Sequence, residues 1–227
     1  MNLLFLQDTA TIALDAAGKA EKELSYIGLL VSGGAFMIPI GILSILAFYI
    51  TIERYLAIKK AGEIDPKFML NIKDFVTHGN IYAALSLAKS TNTPIARLIE
   101  KGIKRIGRPL NDISTAIENE GKLEVYKLEK SLPLLATVAG AAPMIGFLGT
   151  VWGMILAFKS IADAGSSLKP GDLASGIYVA MVTTLGGLIV GIIALIAYNL
   201  LVAMVENVIY KMENTSVDFI DLLQEPA

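Results

Sequence analysis

The 227-residue sequence contains no cysteine and a single histidine, His78. Without thiols there is no disulfide framework and no thiolate metal site, and one histidine with no cysteine companion is read as a solvated loop residue. No GxxxxGK[ST] phosphate loop and no GxGxxG after a strand pattern occurs, so nothing points to nucleotide chemistry, to nucleic acid or to an enzyme active site. No internal repeat or low-complexity segment breaks the chain, which reads as one architectural unit. The most informative absence is that of charge. Ile27–Ile52, Ser131–Phe158 and Leu173–Val205 carry no Asp, Glu, Lys, Arg or His over 26, 28 and 33 residues.

About 20 apolar residues span a bilayer core, so each run is long enough to cross. The hydrophobic share is 54% and the mean hydropathy +0.61, above the roughly 45–50% apolar content of a soluble domain. The expected fold is all-α, with three transmembrane helices, a large helical cytoplasmic loop and long helices extending into the cytoplasm. The expected segments are an N-terminal periplasmic or interfacial helix (1–26), span one (27–52), a cytoplasmic helical region (53–131), span two (132–158), a periplasmic loop (159–173), span three (174–205) and a cytoplasmic C-terminal helix or tail (206–227). The start has no basic n-region and too short an apolar stretch for a signal peptide, and 11–26 reads as an amphipathic surface helix. Of 19 Lys and Arg, 14 lie between residues 53 and 131. By the positive-inside rule that loop is cytoplasmic, which puts the N-terminus outside and the C-terminus inside.

Within the loop, Asp65-Pro66 and Thr93-Pro94 each pair a capping side chain with a proline suited to the first helical position. Asn80 is a candidate cap for IYAALSLAK. After Pro109 a charged helical segment is expected to run straight into span two. Span three, at about 1.5 Å per residue, outreaches the bilayer and should continue as an amphipathic helix through VENVIYKMENTSVDFIDLL.

Spans two and three are rich in glycine. Gly146, Gly149, Gly153, Gly186, Gly187 and Gly191 include two GxxxG spacings, which let helices approach closely in lipid. They imply contact with other helices, within or between subunits; the expectation is that these faces meet neighbouring copies and leave span one peripheral. Thr150, in GFLGTVWGM, and Thr184, in VTTLGG, lie equally far from the middle of the connecting loop and so at matched depth. Their hydroxyls either bond back to their own helix or line a polar path. Ion paths through membranes normally use ionisable side chains. With none in any span, a conducting role requires a titrating group from another chain.

The stretch GFLGTVWGM…GIYVAMVTTLGGLIVGIIALIAYN resembles the ExbB/TolQ/MotA family of inner-membrane, ion-driven motor proteins, most closely its ExbB and TolQ branch. The likeness is close over about residues 130–205. The resemblance implies a homo-oligomeric ring, a pentamer, enclosing helices of a single-span ExbD/TolR-type partner whose membrane aspartate carries the ion. A TonB-type protein would receive the work at the outer membrane, and the location would be the bacterial inner membrane. It also implies that Thr150 and Thr184 are the pore threonines. No enzyme activity or cofactor is implied.

Two positions depart from the ExbB/TolQ pattern: Val179 stands where that branch has glutamate, and Ile193 where it has proline. Thr183, next to the pore threonine, gives a pair similar to that of sodium-driven flagellar stators. H+ is the expected ion, with Na+ open because Thr183 adds an oxygen. A flagellar-type stator fits less well, since those have four spans. A non-conducting membrane scaffold, with purely structural hydroxyls, is the reading from a different class.

Overall fold

The computed structural model describes residues 33–63, 65–164 and 170–224, and within them every regular element is helical. After a 3-10 turn at Gly34–Phe36 come α1 (Met37–Gly62), α2 (Phe68–Thr77), α3 (Ile81–Ser90), α4 (Pro94–Ile103), α5 (Leu110–Glu129), α6 (Leu132–Ala164) and α7 (Pro170–Gln224). The segment 1–26 and the first residues of the expected span one, 27–32, lie outside the described residues. Among the described residues, three stretches are long and apolar enough to cross a membrane, in α1, α6 and α7. Their large apolar side chains are mostly on the surface (Ile38, Ile45, Phe147 and Met181 are among those at least 67% exposed). That is the inverse of a water-soluble domain and suits a lipid or helix surround.

Helix ends follow local chemistry. Asn80 Oδ1 accepts from the Ala83 N–H at 3.2 Å, and Thr93 Oγ1 from the Ala96 N–H at 3.3 Å, with Pro94 opening α4. Asp65-Pro66 differs from expectation. The Asp65 carboxylate accepts from the Lys67 N–H at 2.8 Å, its carbonyl accepts from the Phe68 N–H at 2.9 Å, and the helix starts only at Phe68. Asp65 therefore builds an Asx-type turn before the helix rather than capping it.

The expected continuous run from the cytoplasmic segment into span two is corrected. α5 ends at Glu129, Lys130 has ψ 131°, Ser131 takes φ 74°, and α6 begins at Leu132. Pro133 explains the break. In an unbroken helix its ring would meet the carbonyl four residues back, whereas in the first turn of a new helix it is tolerated. Pro143 stays inside α6. The loop expected over 159–173 is also shorter, because α6 continues to Ala164 and α7 opens at Pro170. α7 runs unbroken for 55 residues, about 80 Å of helix.

The chain divides into two compact units rather than the single one expected. One comprises Val138–Ile193 with the residues up to Leu46; the other comprises Ala47–Thr137 and Ala194–Ala227. In the second, α2, α3, α4 and α5 pack in sequence order. Its core includes Ile58, Ile72, Ile95, Ile99 and Phe219, all less than 2% exposed. A Cβ at Gly102 would come within 2.5 Å of the Phe219 ring and 2.8 Å of Ile117 Cδ1, so glycine is what lets the far end of α7 dock here. Glu124 is buried in this unit, with Arg97 Nη2 at 2.5 Å and Lys127 Nζ at 2.6 Å. Burial alone would push its carboxyl up, but the two cations outweigh that and hold it below the ordinary 4.5.

Candidate functional site

In the first unit α6 and α7 form an antiparallel pair whose seam is made of small residues. On α6 it runs Ala142, Gly146, Gly149, Gly153 and Ala157; on α7 it runs Gly176, Ala180, Thr183, Gly187 and Gly191. Each follows the four-three-four-four spacing that keeps one helix face in line. The backbones are nearly in contact. A Cβ at Gly146 would lie 2.9 Å from the Thr183 carbonyl oxygen, one at Gly187 2.5 Å from that of Ala142, and one at Gly153 2.7 Å from that of Gly176. Gly191 lies against the Pro143 ring, and a Cβ there would be 3.0 Å from the Ala139 carbonyl oxygen. That carbonyl is the one Pro143 cannot serve as donor, because proline has no N–H.

This corrects the expectation that the glycine faces meet neighbouring copies. Gly146, Gly149, Gly153, Gly187 and Gly191 are filled by the other arm of the same hairpin. Gly186 lies just off the seam, where a Cβ would sit 3.1 Å from the Met37 side chain of α1.

The start of α1 and the turn before it meet one side of this pair. Beyond the Met37–Gly186 contact, a Cβ at Gly33 would lie 3.3 Å from Val182 and one at Gly34 3.8 Å from Val179. The Phe36 and Trp152 rings lie 6.3 Å apart at a tilt of 59°. Trp152, Val179, Val182 and Gly186 each precede a seam residue by one. Thr150 and Thr184 each follow one, Gly149 and Thr183 respectively. Successive helical residues turn by about 100°, and in an antiparallel pair a forward step swings both helices toward the same side. Thr150 and Thr184 therefore emerge together, on the side away from Met37.

The three threonines differ in what their hydroxyls do. Thr183 is fully buried, its side chain seated on Gly149, and its hydroxyl donates to the Ala180 carbonyl at 2.8 Å, with Val179's at 3.2 Å. Thr184 donates across the pair to the Gly146 carbonyl at 3.0 Å. Thr150 donates to the Phe147 carbonyl of its own helix at 2.6 Å. Thr150 and Thr184 are only partly buried. Their protons are engaged, so each presents oxygen lone pairs outward, able to accept from an acid O–H or to meet a cation. Val179, at the position of the branch's glutamate, lies beside Gly34 on the Met37 side, and Ile193 is 62% exposed.

Sequence reasoning did not single out Gly146 as an acceptor or Met37 as the cover of one side. The seam spacing sorts the residues before and after it onto opposite sides, but it carries no signal for what meets either side.

Three apolar crossing helices, with a charge-free hairpin presenting two hydroxyls at one depth, define a multi-pass helical membrane protein. The chain belongs to the MotA/TolQ/ExbB proton channel family, whose model matches residues 90–214. That family is one of proton channels and not a known enzyme family. An ExbB homologue of Methanothermobacter thermautotrophicus is 27% identical over 80% of this chain and 64% of its own length. The ExbB of Aquifex aeolicus is 39% identical over 48% of this chain and 74% of its own, and the TolQ of Pseudomonas aeruginosa 43% identical over 34% and 32%. The chain thus spans less than two thirds of the first of these relatives.

Proposed function

We propose that this chain is the ring-forming subunit of a proton-driven motor in the bacterial inner membrane. In this reading several copies, five by family resemblance, surround the helices of a single-span ExbD/TolR-type partner. Thr150 and Thr184 line the path, and the partner's membrane aspartate carries the proton. The N-terminus lies on the periplasmic side and the basic region 53–131 on the cytoplasmic side. The work is passed outward, by way of a TonB-type protein if the system follows the ExbB branch.

The observation that carries the reading is the pairing of Thr150 and Thr184 on the side of the hairpin away from Met37, in spans with no ionisable residue. A protonated carboxyl arriving there finds two oxygens free to accept its O–H. Once ionised, it would be costly to hold in lipid without a companion, and rotation of either hydroxyl supplies a donor. Protons are favoured over sodium because the hydroxyl of Thr183 is turned into its own helix and sealed by Gly149. A sodium site would need more oxygens than two threonines offer.

The scaffold reading draws on one observation: all three hydroxyls already have carbonyl partners within the chain. Thr150→Val separates the two readings, since its hydroxyl bonds only one turn of α6. We expect the variant to assemble normally and lose proton-driven activity, while Thr183→Ala leaves the ion requirement unchanged. Full activity in Thr150→Val would favour the scaffold, and sodium dependence lost in Thr183→Ala would reverse the choice of ion.

A further inference from the structure

We infer that a cleft between α1 and the second half of α7 holds an anionic glycerophospholipid by its phosphate. The cleft has a volume of about 470 Å3 and is walled by Ile58, Leu200, Ala203, Met204 and Val208. Its polar rim consists of Lys59, Lys211, Glu63 and Asn207. The two helices meet closely here: a Cβ at Gly62 would lie 3.2 Å from Val208, and Lys211 Nζ donates to the Gly62 carbonyl at 3.3 Å. An ammonium has three donors, so Lys211 keeps two for an incoming oxyanion.

The position suits a lipid. The charge-free runs end at Ile52 on α1 and Val205 on α7. The wall residues Leu200, Ala203 and Met204 fall inside the second run, while Lys59 and Lys211 lie seven and six residues beyond the ends. That is about 10 Å along a helix, just beyond a headgroup layer of about 5–8 Å on each side. Both helices leave the apolar run with their N-terminal ends toward the bilayer. Their side chains lean back toward it, and long lysine stems can settle along apolar surface with the charge at the headgroups. Two lysines against Glu63 leave the rim with one net positive charge, the complement of a headgroup such as phosphatidylglycerol. An acyl chain then covers apolar wall that would otherwise face the headgroup layer bare. The same argument holds whichever side of the membrane the cleft occupies, and it is independent of the motor reading.

The test is native mass spectrometry of the full chain in mild detergent, titrated with phosphatidylglycerol or with phosphatidylcholine. The wild type should retain one phosphatidylglycerol per chain in preference to phosphatidylcholine. Lys59→Gln with Lys211→Gln should weaken that retention about 30-fold, taking each surface lysine at its usual worth, and Lys89→Gln should leave it unchanged. Ala203→Trp, which fills the cleft and leaves both lysines in place, should abolish retention of either lipid. Equal retention of the two lipids by the wild type, or unchanged retention in the double lysine variant, would overturn the assignment. So would a shift in oligomer size without bound lipid in Ala203→Trp, which would mean that a second copy of this chain covers the cleft.

Discussion

Successive residues of a helix point about 100° apart, and Thr183 and Thr184 show what that rotation does to two identical side chains. Thr183 is sealed in the α6–α7 seam with its hydroxyl spent on its own helix, while Thr184 faces the open side and ties α7 to the Gly146 carbonyl. An interhelical bond of this kind is worth about 0.6 kcal/mol in membranes, so Thr184→Val mixes a small loss of stability with any effect on ions. Glu124 poses the residue-scale question of charge outside the membrane. Its carboxyl is held below the ordinary 4.5 by Arg97 and Lys127 in spite of burial. The unfolded chain therefore takes up that proton first as the pH falls. The stabilisation is complete at neutral pH and drains away below about 4.5, down through the lowered folded value. Thermal unfolding of the detergent-solubilised protein should show this acid loss, and Glu124→Gln should flatten it while lowering stability at neutral pH by on the order of 2 kcal/mol. An unchanged acid profile in that variant would remove Glu124 from the account.

At the scale of elements, much of the fold was legible. The charge-free runs announced the three crossing helices, and Asn80 and Thr93-Pro94 announced α3 and α4, because these signals are local. The break at Lys130-Ser131 was missed although Pro133 was in view, since the clash that breaks the helix depends on where the previous helix would have continued. The glycine stripe was legible as a close approach to another helix, within or between subunits, and the structure fills the seam glycines with the other arm of the same hairpin. Spacing gives the face of a helix but not what lies against it. Likewise the Glu124–Lys127 spacing is visible in sequence, whereas Arg97 reaches Glu124 only through folding. The seam makes a sharp contrast for a test. Gly146→Ala drives a methyl into the backbone of Thr183 and Thr184, while Gly140 has nothing within 4 Å of its added Cβ. We expect Gly146→Ala to destabilise the hairpin by about 1–3 kcal/mol, the usual cost of overpacking, and Gly140→Ala to be neutral, as read from the melting of the purified protein. Equal behaviour of the two variants would mean that the seam is looser than described.

For the whole molecule, what matters is that the α6–α7 pair presents two partly buried threonine hydroxyls at one depth, in runs without Asp, Glu, Lys, Arg or His. In the proposed reading such a chain guides the proton, and a carboxylate on the partner helix carries it. The departures at Val179 and Ile193 do not alter this. Val179 sits beside Gly34, away from the threonine side, and as an uncharged residue it keeps the run 173–205 free of Asp, Glu, Lys, Arg and His. The likeness at the threonines was legible because it rests on short, local motifs. The side on which they emerge was not, because it required knowing which residues form the seam. The most direct measurement is proton flux into vesicles under a pH gradient, with this chain reconstituted alone, with the proposed ExbD/TolR-type single-span partner, and with that partner's membrane aspartate changed to asparagine. The account predicts flux only with the intact partner and no flux in the other two preparations. Flux from this chain alone, or full flux with the asparagine partner, would contradict it.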